Sequence, residues 1–195
     1  DVSLDEIRSV LDTGKGEVLL FWPMQFMYRF TANATPAALG KILMELFGTG
    51  QREFDGPLDF IEQSKQGLRK WMGANTYVAS FTIQKDAATA FAMFFFGRNE
   101  KGLEAMLQAK WEVDEEYGDG WSFEDTQPRQ LDFFPLLAKN RYAEDLTRYV
   151  LDKARSNRDI YLFTLRQDHL PKHTNDVLRS LQRTNQIQVK RPDGT

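Results

Sequence analysis

Two apolar runs joined by only four residues constrain this chain more than any other feature. Tyr77 to Ile83 alternates, with Tyr77, Ala79, Phe81 and Ile83 on one face. Gln84-Lys85-Asp86-Ala87 follows as a turn, and a Phe-rich run then returns to Phe96. A parallel pair needs a crossover of a dozen or more residues, so these strands pair antiparallel. The returning run opens the stretch Ala90 to Asp114, AFAMFFFGRNEKGLEAMLQAKWEVD. It is too short for a bilayer span, which takes roughly 20 apolar residues. It reads instead as a strand buried on both faces. The chain turns at Gly97-Arg98-Asn99, and Asn99 is placed to cap a helix. Leu103, Met106, Leu107 and Trp111 form that helix's apolar face.

Upstream, Ser3-Leu4-Asp5-Glu6 is a capping box that opens a helix to Leu11. Because Asp1 is not an initiator Met, the expectation is a fragment of something longer. Glu17 to Trp22 (EVLLFW) is an apolar strand of the kind buried in a parallel sheet. Met24 to Phe30 predicts a short helix with Phe26, Met27 and Phe30 inward. Thr35-Pro36 predicts a helix with Thr35 as N-cap and Pro36 as its first residue. Leu39, Ile42, Leu43, Leu46 and Phe47 then recur at helical spacing, and Gly48 ends the run. Asp55-Gly56-Pro57 starts another helix, with Leu58, Ile61, Leu68 and Trp71 on its core face. The order α-β-α-α-α-β-β-α over residues 1–111 is similar to the closing half of a class I S-adenosylmethionine-dependent methyltransferase fold. There a last, antiparallel strand slots in beside the fifth. The expected fold class is therefore α/β: a partial methyltransferase-like, Rossmann-type sheet with a terminal antiparallel hairpin.

Residues 115–140 read as a connector punctuated by acidic residues, Gly and Pro. From about residue 141 the pattern changes to helix, helix, tight turn, helix, strand, turn, the order of a winged helix-turn-helix. Tyr142 to Ala154 and Asp159 to Leu165 are the first two helices. Pro171 opens the third, with Val177, Leu178 and Leu181 inward, and Ile187 to Lys190 alternates like a strand. The expected domains are thus 1–114, a connector 115–140, and a winged helix 141–195.

Charge separates along the same line. The net charge is -3, yet residues 1–140 carry 14 Lys/Arg against 21 Asp/Glu, while residues 141–195 carry 11 against 7. A basic module on an acidic body points to nucleic acid. Lys172, His173, Thr174, Asn175, Arg179 and Arg183 on the third helix are the candidate contacts, with Lys190 and Arg191 as a wing. Asn suits adenine and Arg suits guanine. DNA is the expected partner, with RNA as the alternative.

Other chemistries find no support in the residues. There is no cysteine, and the only histidines are His169 and His173, so no metal centre is expected. No Gly-rich phosphate loop, GxSxG or metal-ligand spacing appears, and no catalytic residue is assigned. No stretch reads as a membrane span or signal peptide, and a cytoplasmic location with no membrane partner is expected.

EVLLFWPMQFMYRF (Glu17–Phe30), LFGT (Leu46–Thr49) and FFFGRNEKGLEAMLQAKWEVD (Phe94–Asp114), followed by the winged helix, occur in an order that resembles the three-Cys-motif partner proteins. The resemblance implies a methyltransferase-like domain followed by a winged helix. It implies a mobile-element or prophage setting and a radical S-adenosylmethionine-type partner protein. The family's cofactor blocks lie N-terminal to anything in this chain. It therefore implies S-adenosylmethionine in the full-length protein and no cofactor residue here. The reading is the C-terminal part of a nucleic-acid-modifying protein. Two alternatives stand beside it. One is a non-enzymatic interaction module whose Glu17–Trp22 edge docks a partner chain or the missing N-terminal half. The other is a transcription regulator that senses a small ligand.

Overall fold

A computed structural model describes residues 3–31, 35–48, 53–86, 89–115, 118, 120–122 and 133–190. The chain divides into two compact units, Asp1–Arg129 and Gln130–Thr195.

In the first unit β1 (Val18–Trp22), β2 (Tyr77–Asp86), β3 (Thr89–Gly97) and β4 (Gly120–Ser122) form one sheet in the order β1-β3-β2-β4. β2 (Tyr77–Asp86) and β3 (Thr89–Gly97) form the hairpin demanded by their short connection, with Tyr77 opposite Gly97 and Ile83 opposite Phe91. β1 (Val18–Trp22) lies antiparallel on the other side of β3, with Leu20 opposite Phe94. β3 is therefore central and antiparallel to both neighbours.

Alternation along β3 splits its aromatics between two faces. Ala92, Phe94 and Phe96 point into a core with Leu20, Trp22 and Val78. That core is closed by α1 (Leu4–Asp12), α2 (Met24–Arg29), α3 (Ala37–Phe47) and α4 (Pro57–Met72), through Leu4, Ile7, Leu11, Met24, Met27, Leu39, Leu46, Phe60 and Leu68. Phe95 points to the opposite face, where α5 (Glu100–Val113) packs with Leu103, Leu107 and Trp111 buried. The Asn99 side chain accepts from the Lys101 N–H at 2.8 Å, the cap the sequence predicts.

Two glycines are required by close approach. A Cβ on Gly67 of α4 would lie 2.5 Å from the carbonyl oxygen of Leu46 in α3, a backbone atom with no freedom to step aside. Gly118, at φ +62, sits against the Trp111 ring, where a Cβ would lie 2.5 Å from ring carbon. The chain thus folds back onto α5 directly after that helix.

Several expectations are corrected. The Glu17–Trp22 run is not a strand buried on both faces of a parallel sheet. It pairs antiparallel at the end of the sheet, and only Leu20 and Trp22 are buried, while Leu19 is 61% and Phe21 53% exposed. Five apolar residues in a row do not reveal which face stays uncovered. Phe26 is 55% exposed rather than inward, its ring tilted at 59° against Phe30 with centroids 4.7 Å apart. In a six-residue helix the one inward face is taken by Met24 and Met27. Thr35 does not cap α3. Its hydroxyl donates to the Phe30 carbonyl at 2.6 Å, and Pro36 occupies the N-cap position. The expected connector holds regular structure: β4 (Gly120–Ser122) adds to β2 in parallel, opposite Thr82 to Gln84.

Among its described residues the second unit is three helices: α6 (Phe133–Asp152), α7 (Asn157–Arg166) and α8 (Pro171–Arg183). α6 begins well before Tyr142, inside the expected connector. Residues 187–190 form no strand, against expectation. A strand is defined by its ladder, and no described segment of this unit pairs with it.

Candidate nucleic-acid interface

The second unit is built around a buried chain of hydroxyls, one from each helix. The Tyr142 phenol of α6 lies 2.7 Å from Thr174 Oγ1 of α8 and 3.1 Å from Thr164 Oγ1 of α7. The two threonine oxygens are 2.7 Å apart, and Thr164 donates to the Ile160 carbonyl at 2.8 Å. Each hydroxyl has one proton to give. Tyr142 donates to Thr164 and Thr164 to the Ile160 carbonyl, so Thr174 is the remaining donor and the chain runs from Thr174 through Tyr142 and Thr164 to the Ile160 carbonyl. Burial pushes the Tyr142 phenol up from its ordinary value, against the opposing pull of its bonds to Thr164 and Thr174. Leu146 and Leu165, both fully buried, complete the core around this chain.

Helix boundaries are fixed by specific caps. Ser156 and Asp159 form a capping box at the start of α7, and the Ser156 hydroxyl, then its N–H, hold the Asp159 carboxyl below its usual range. α7 ends with Asp168 at φ 59. The His169 N–H reaches the Thr164 carbonyl and the Asp168 N–H the Leu165 carbonyl, both at 3.1 Å, a Schellman ending. Asn185, at φ 55, closes α8 in the same way, through Gln186 to Leu181 and Asn185 to Gln182. Both are residue types that tolerate the left-handed region.

Between α7 and α8 lie four residues, Gln167 to Leu170, a connection of helix-turn-helix length. The turn is pinned from both sides. The His169 ring stacks on Tyr142 at 3.8 Å and 9°. Its Nδ1 lies 2.5 Å from the Gln167 carbonyl, which only accepts, so this nitrogen carries the proton. His173 Nδ1 accepts the Leu170 N–H at 3.1 Å, so its proton sits on Nε2. Pro171 follows at the first helical position, where no N–H is missed.

With the turn and core fixed, α8 shows two faces. Thr174 and Leu181 are buried and Val177 and Leu178 half-buried. On the opposite side Lys172, Asn175, Asp176, Arg179 and Arg183 recur at spacings of three and four, and all are exposed. One stripe therefore holds three cations, an amide and a carboxylate. Arg179 approaches Asp176 only to 3.9 Å with both side chains over 70% exposed, a pair too weak to hold the guanidinium away from another anion.

The expected contacts separate accordingly. Lys172, Asn175, Arg179 and Arg183 share the outward stripe. Lys190 is exposed beyond the helix, and Arg191 lies outside the described residues. Thr174 is corrected: at 5% exposure its hydroxyl is committed to Tyr142 and Thr164 and does not face a ligand. His173 is half-buried, and its first role is to cap α8. Asp176 is the stripe member the residue-type reading missed, although its spacing of four from Lys172 already places it there. Among the described residues no cluster of three or more His, Asp or Glu is arranged to hold a metal ion. No helix among them is long and apolar enough to cross a membrane.

No curated protein and no solved structure matches the chain. Residues 120–194, which include the three described helices of the second unit, match the family described as the GMT-like wHTH domain, a winged helix-turn-helix module.

Proposed function

We propose that the second unit binds duplex DNA by laying the outward stripe of α8 in the major groove. The observation that carries this is the stripe itself. Lys172, Asn175, Asp176, Arg179 and Arg183 line one exposed side of the helix that follows a helix-turn-helix turn. The match to a winged-helix family supports it. Lys and Arg grip phosphate or guanine, Asn pairs with adenine, and an Asp can accept from the cytosine amino group. B-form DNA is favoured over duplex RNA, because the A-form major groove is too deep and narrow for a helix to read. Fluorescence anisotropy with a labelled duplex of mixed sequence tests the proposal. Arg179→Ala together with Arg183→Ala is expected to weaken binding about tenfold to a hundredfold, with the fold unchanged because both side chains are exposed. Unchanged affinity in the double variant would sink the proposal.

A second reading concerns the first unit, and the sheet order favours it. A central strand antiparallel to both β1 and β2 is the closing arrangement expected for a methyltransferase-like sheet. On this reading the chain serves a nucleic-acid-modifying protein of the three-Cys-motif partner kind, in a mobile-element setting with a radical S-adenosylmethionine-type partner. The cofactor would be held by residues outside this chain. S-adenosylmethionine should then leave the melting temperature of the 195-residue chain unmoved, and a saturable upward shift would contradict this assignment.

A further inference from the structure

One member of the α8 stripe runs against the others. Asp176 is a carboxylate among Lys172, Arg179 and Arg183, and its side chain is 80% exposed. A face that only gripped phosphate would be weakened by it, because like charges repel. Neither of the usual reasons for a surface carboxylate accounts for it. Acidic residues favour a helix start, but that effect fades within the first turn, and Asp176 lies in the second turn after Pro171. The start of α8 is capped instead by the His173 ring, which accepts the Leu170 N–H. An ion pair is the other reason. Lys172 lies one turn back, yet among the described residues Asp176 approaches only Arg179, at 3.9 Å and with both side chains exposed. Such a pair contributes little.

Its place on the helix suits a base edge. In a helix-turn-helix the N-terminal part of the second helix reaches the bases. Asn175 precedes Asp176 and Arg179 follows one turn on, and both carry groove-reading chemistry. A carboxylate can only accept. In the major groove guanine presents N7 and O6 and thymine presents O4, which also only accept and so repel it. Donors there come from the amino groups of cytosine and adenine. Adenine sets its N7 beside that amino group, where a carboxylate meets a second acceptor. Cytosine is the base whose polar groove edge is a donor alone.

We infer, resting on the duplex-binding reading of α8, that Asp176 makes this binding sequence-selective by accepting from the amino group of a cytosine. Its charge acts in two ways. It favours a C·G pair at one position of the site, and it disfavours every register that brings it against phosphate or against an acceptor edge. Lys172, Arg179 and Arg183 then hold any duplex, and Asp176 chooses among duplexes.

Selection by the full chain from a duplex pool with a randomised core tests it. The wild-type chain is expected to enrich a site with one C·G pair that D176A no longer enriches. Fluorescence anisotropy then compares the selected duplex with a copy carrying A·T at that pair. Wild type should favour C·G about tenfold, the ordinary cost of one mismatched pair. D176A should bind the two copies equally. D176N replaces the carboxylate with an amide that can also donate to adenine N7, and should shift the preference toward A·T. On a duplex of mixed sequence D176A should bind at least as tightly as wild type, because a charge that repels phosphate is gone. The side chain is exposed, so neither substitution disturbs the fold. A wild-type chain that binds duplexes without selecting C·G, or a variant that keeps the full wild-type preference, overturns the inference and leaves duplex binding standing. So does D176A losing affinity equally for every duplex, since Asp176 would then support α8 and read no base. A wild-type chain that binds no duplex removes both readings.

Discussion

Phe94→Ala is expected to cost the first unit about 3–5 kcal/mol, the range for deleting a fully buried aromatic ring. Phe94 has no exposed surface and sits on the central strand, edge-on to Trp22 at 5.5 Å. The cost should fall at the upper end for a topological reason. Ladders to Leu20 on β1 and Ser80 on β2 hold the strand from both sides, so the backbone cannot collapse into the space left behind. Against a total stability of about 5–15 kcal/mol, such a loss is decisive for a small unit. The chain supplies its own probe. All four tryptophans, Trp22, Trp71, Trp111 and Trp121, belong to the first unit, so urea unfolding followed by tryptophan fluorescence reports that unit selectively. Phe91→Ala is the matched control. The same ring, half-buried on the open face, should cost clearly less. Equal losses would mean that the two faces of β3 are not distinguished as described.

The hydroxyl chain of the second unit makes a sharper prediction, because its direction matters. Thr174 starts the chain and the Ile160 carbonyl ends it. Tyr142→Phe strands no proton, because Thr174 can donate directly to Thr164 at 2.7 Å, so its cost should be about 1 kcal/mol or less. Thr164→Val removes the final link. It leaves a buried hydroxyl proton with nowhere to go, a loss of about 1–3 kcal/mol. Far-UV circular dichroism at fixed tryptophan signal separates the two variants from effects on the first unit. If Tyr142→Phe is the more damaging of the pair, the chain does not drain through Thr164 to the Ile160 carbonyl.

The same phenol ties stability to alkaline pH. Its folded pKa lies above the unfolded value of roughly 10, so the protonated form is the one the fold prefers. The contribution is complete below the unfolded value and is lost as pH rises through the folded one. Melting of the second unit between about pH 9 and 11 should therefore decline with pH, and Tyr142→Phe should remove that part of the slope.

How much of this was legible in the sequence depends on whether the signal was local. The hairpin was, because a connection of so few residues allows one pairing direction, although Gln84 to Asp86, read as its turn, belong to β2. Asn99, the capping box at Ser3 and the Pro171 helix start were also legible, since caps depend on neighbours along the chain. The position of β1 was not. VLLFW is apolar at every position, and only the tertiary arrangement decides that Leu20 and Trp22 are covered while Leu19 and Phe21 are open. β4 was invisible because three residues carry no periodicity. Within the site, residue type misled where spacing would have served. Thr174, Val177, Leu178 and Leu181 fall at i, i+3, i+4 and i+7, which is the inward face, and a threonine there belongs to the core. The same arithmetic adds Asp176 to the outward stripe. The hydroxyl chain itself joins residues 22 and 32 positions from Tyr142, beyond the reach of any local pattern.

The central claim is that α8 meets duplex DNA through its cationic stripe, and the salt dependence of binding tests it most directly. Each phosphate contact contributes about -0.9 to the slope of log affinity against log salt. Removing Lys172, Arg179 and Arg183 one at a time, each to alanine, is expected to make the slope shallower by about one per phosphate-gripping residue. A residue that instead reads a base edge should lower affinity at one sequence while leaving the slope alone. If all three variants keep both the wild-type slope and the wild-type affinity, the stripe does not face the duplex and the account fails.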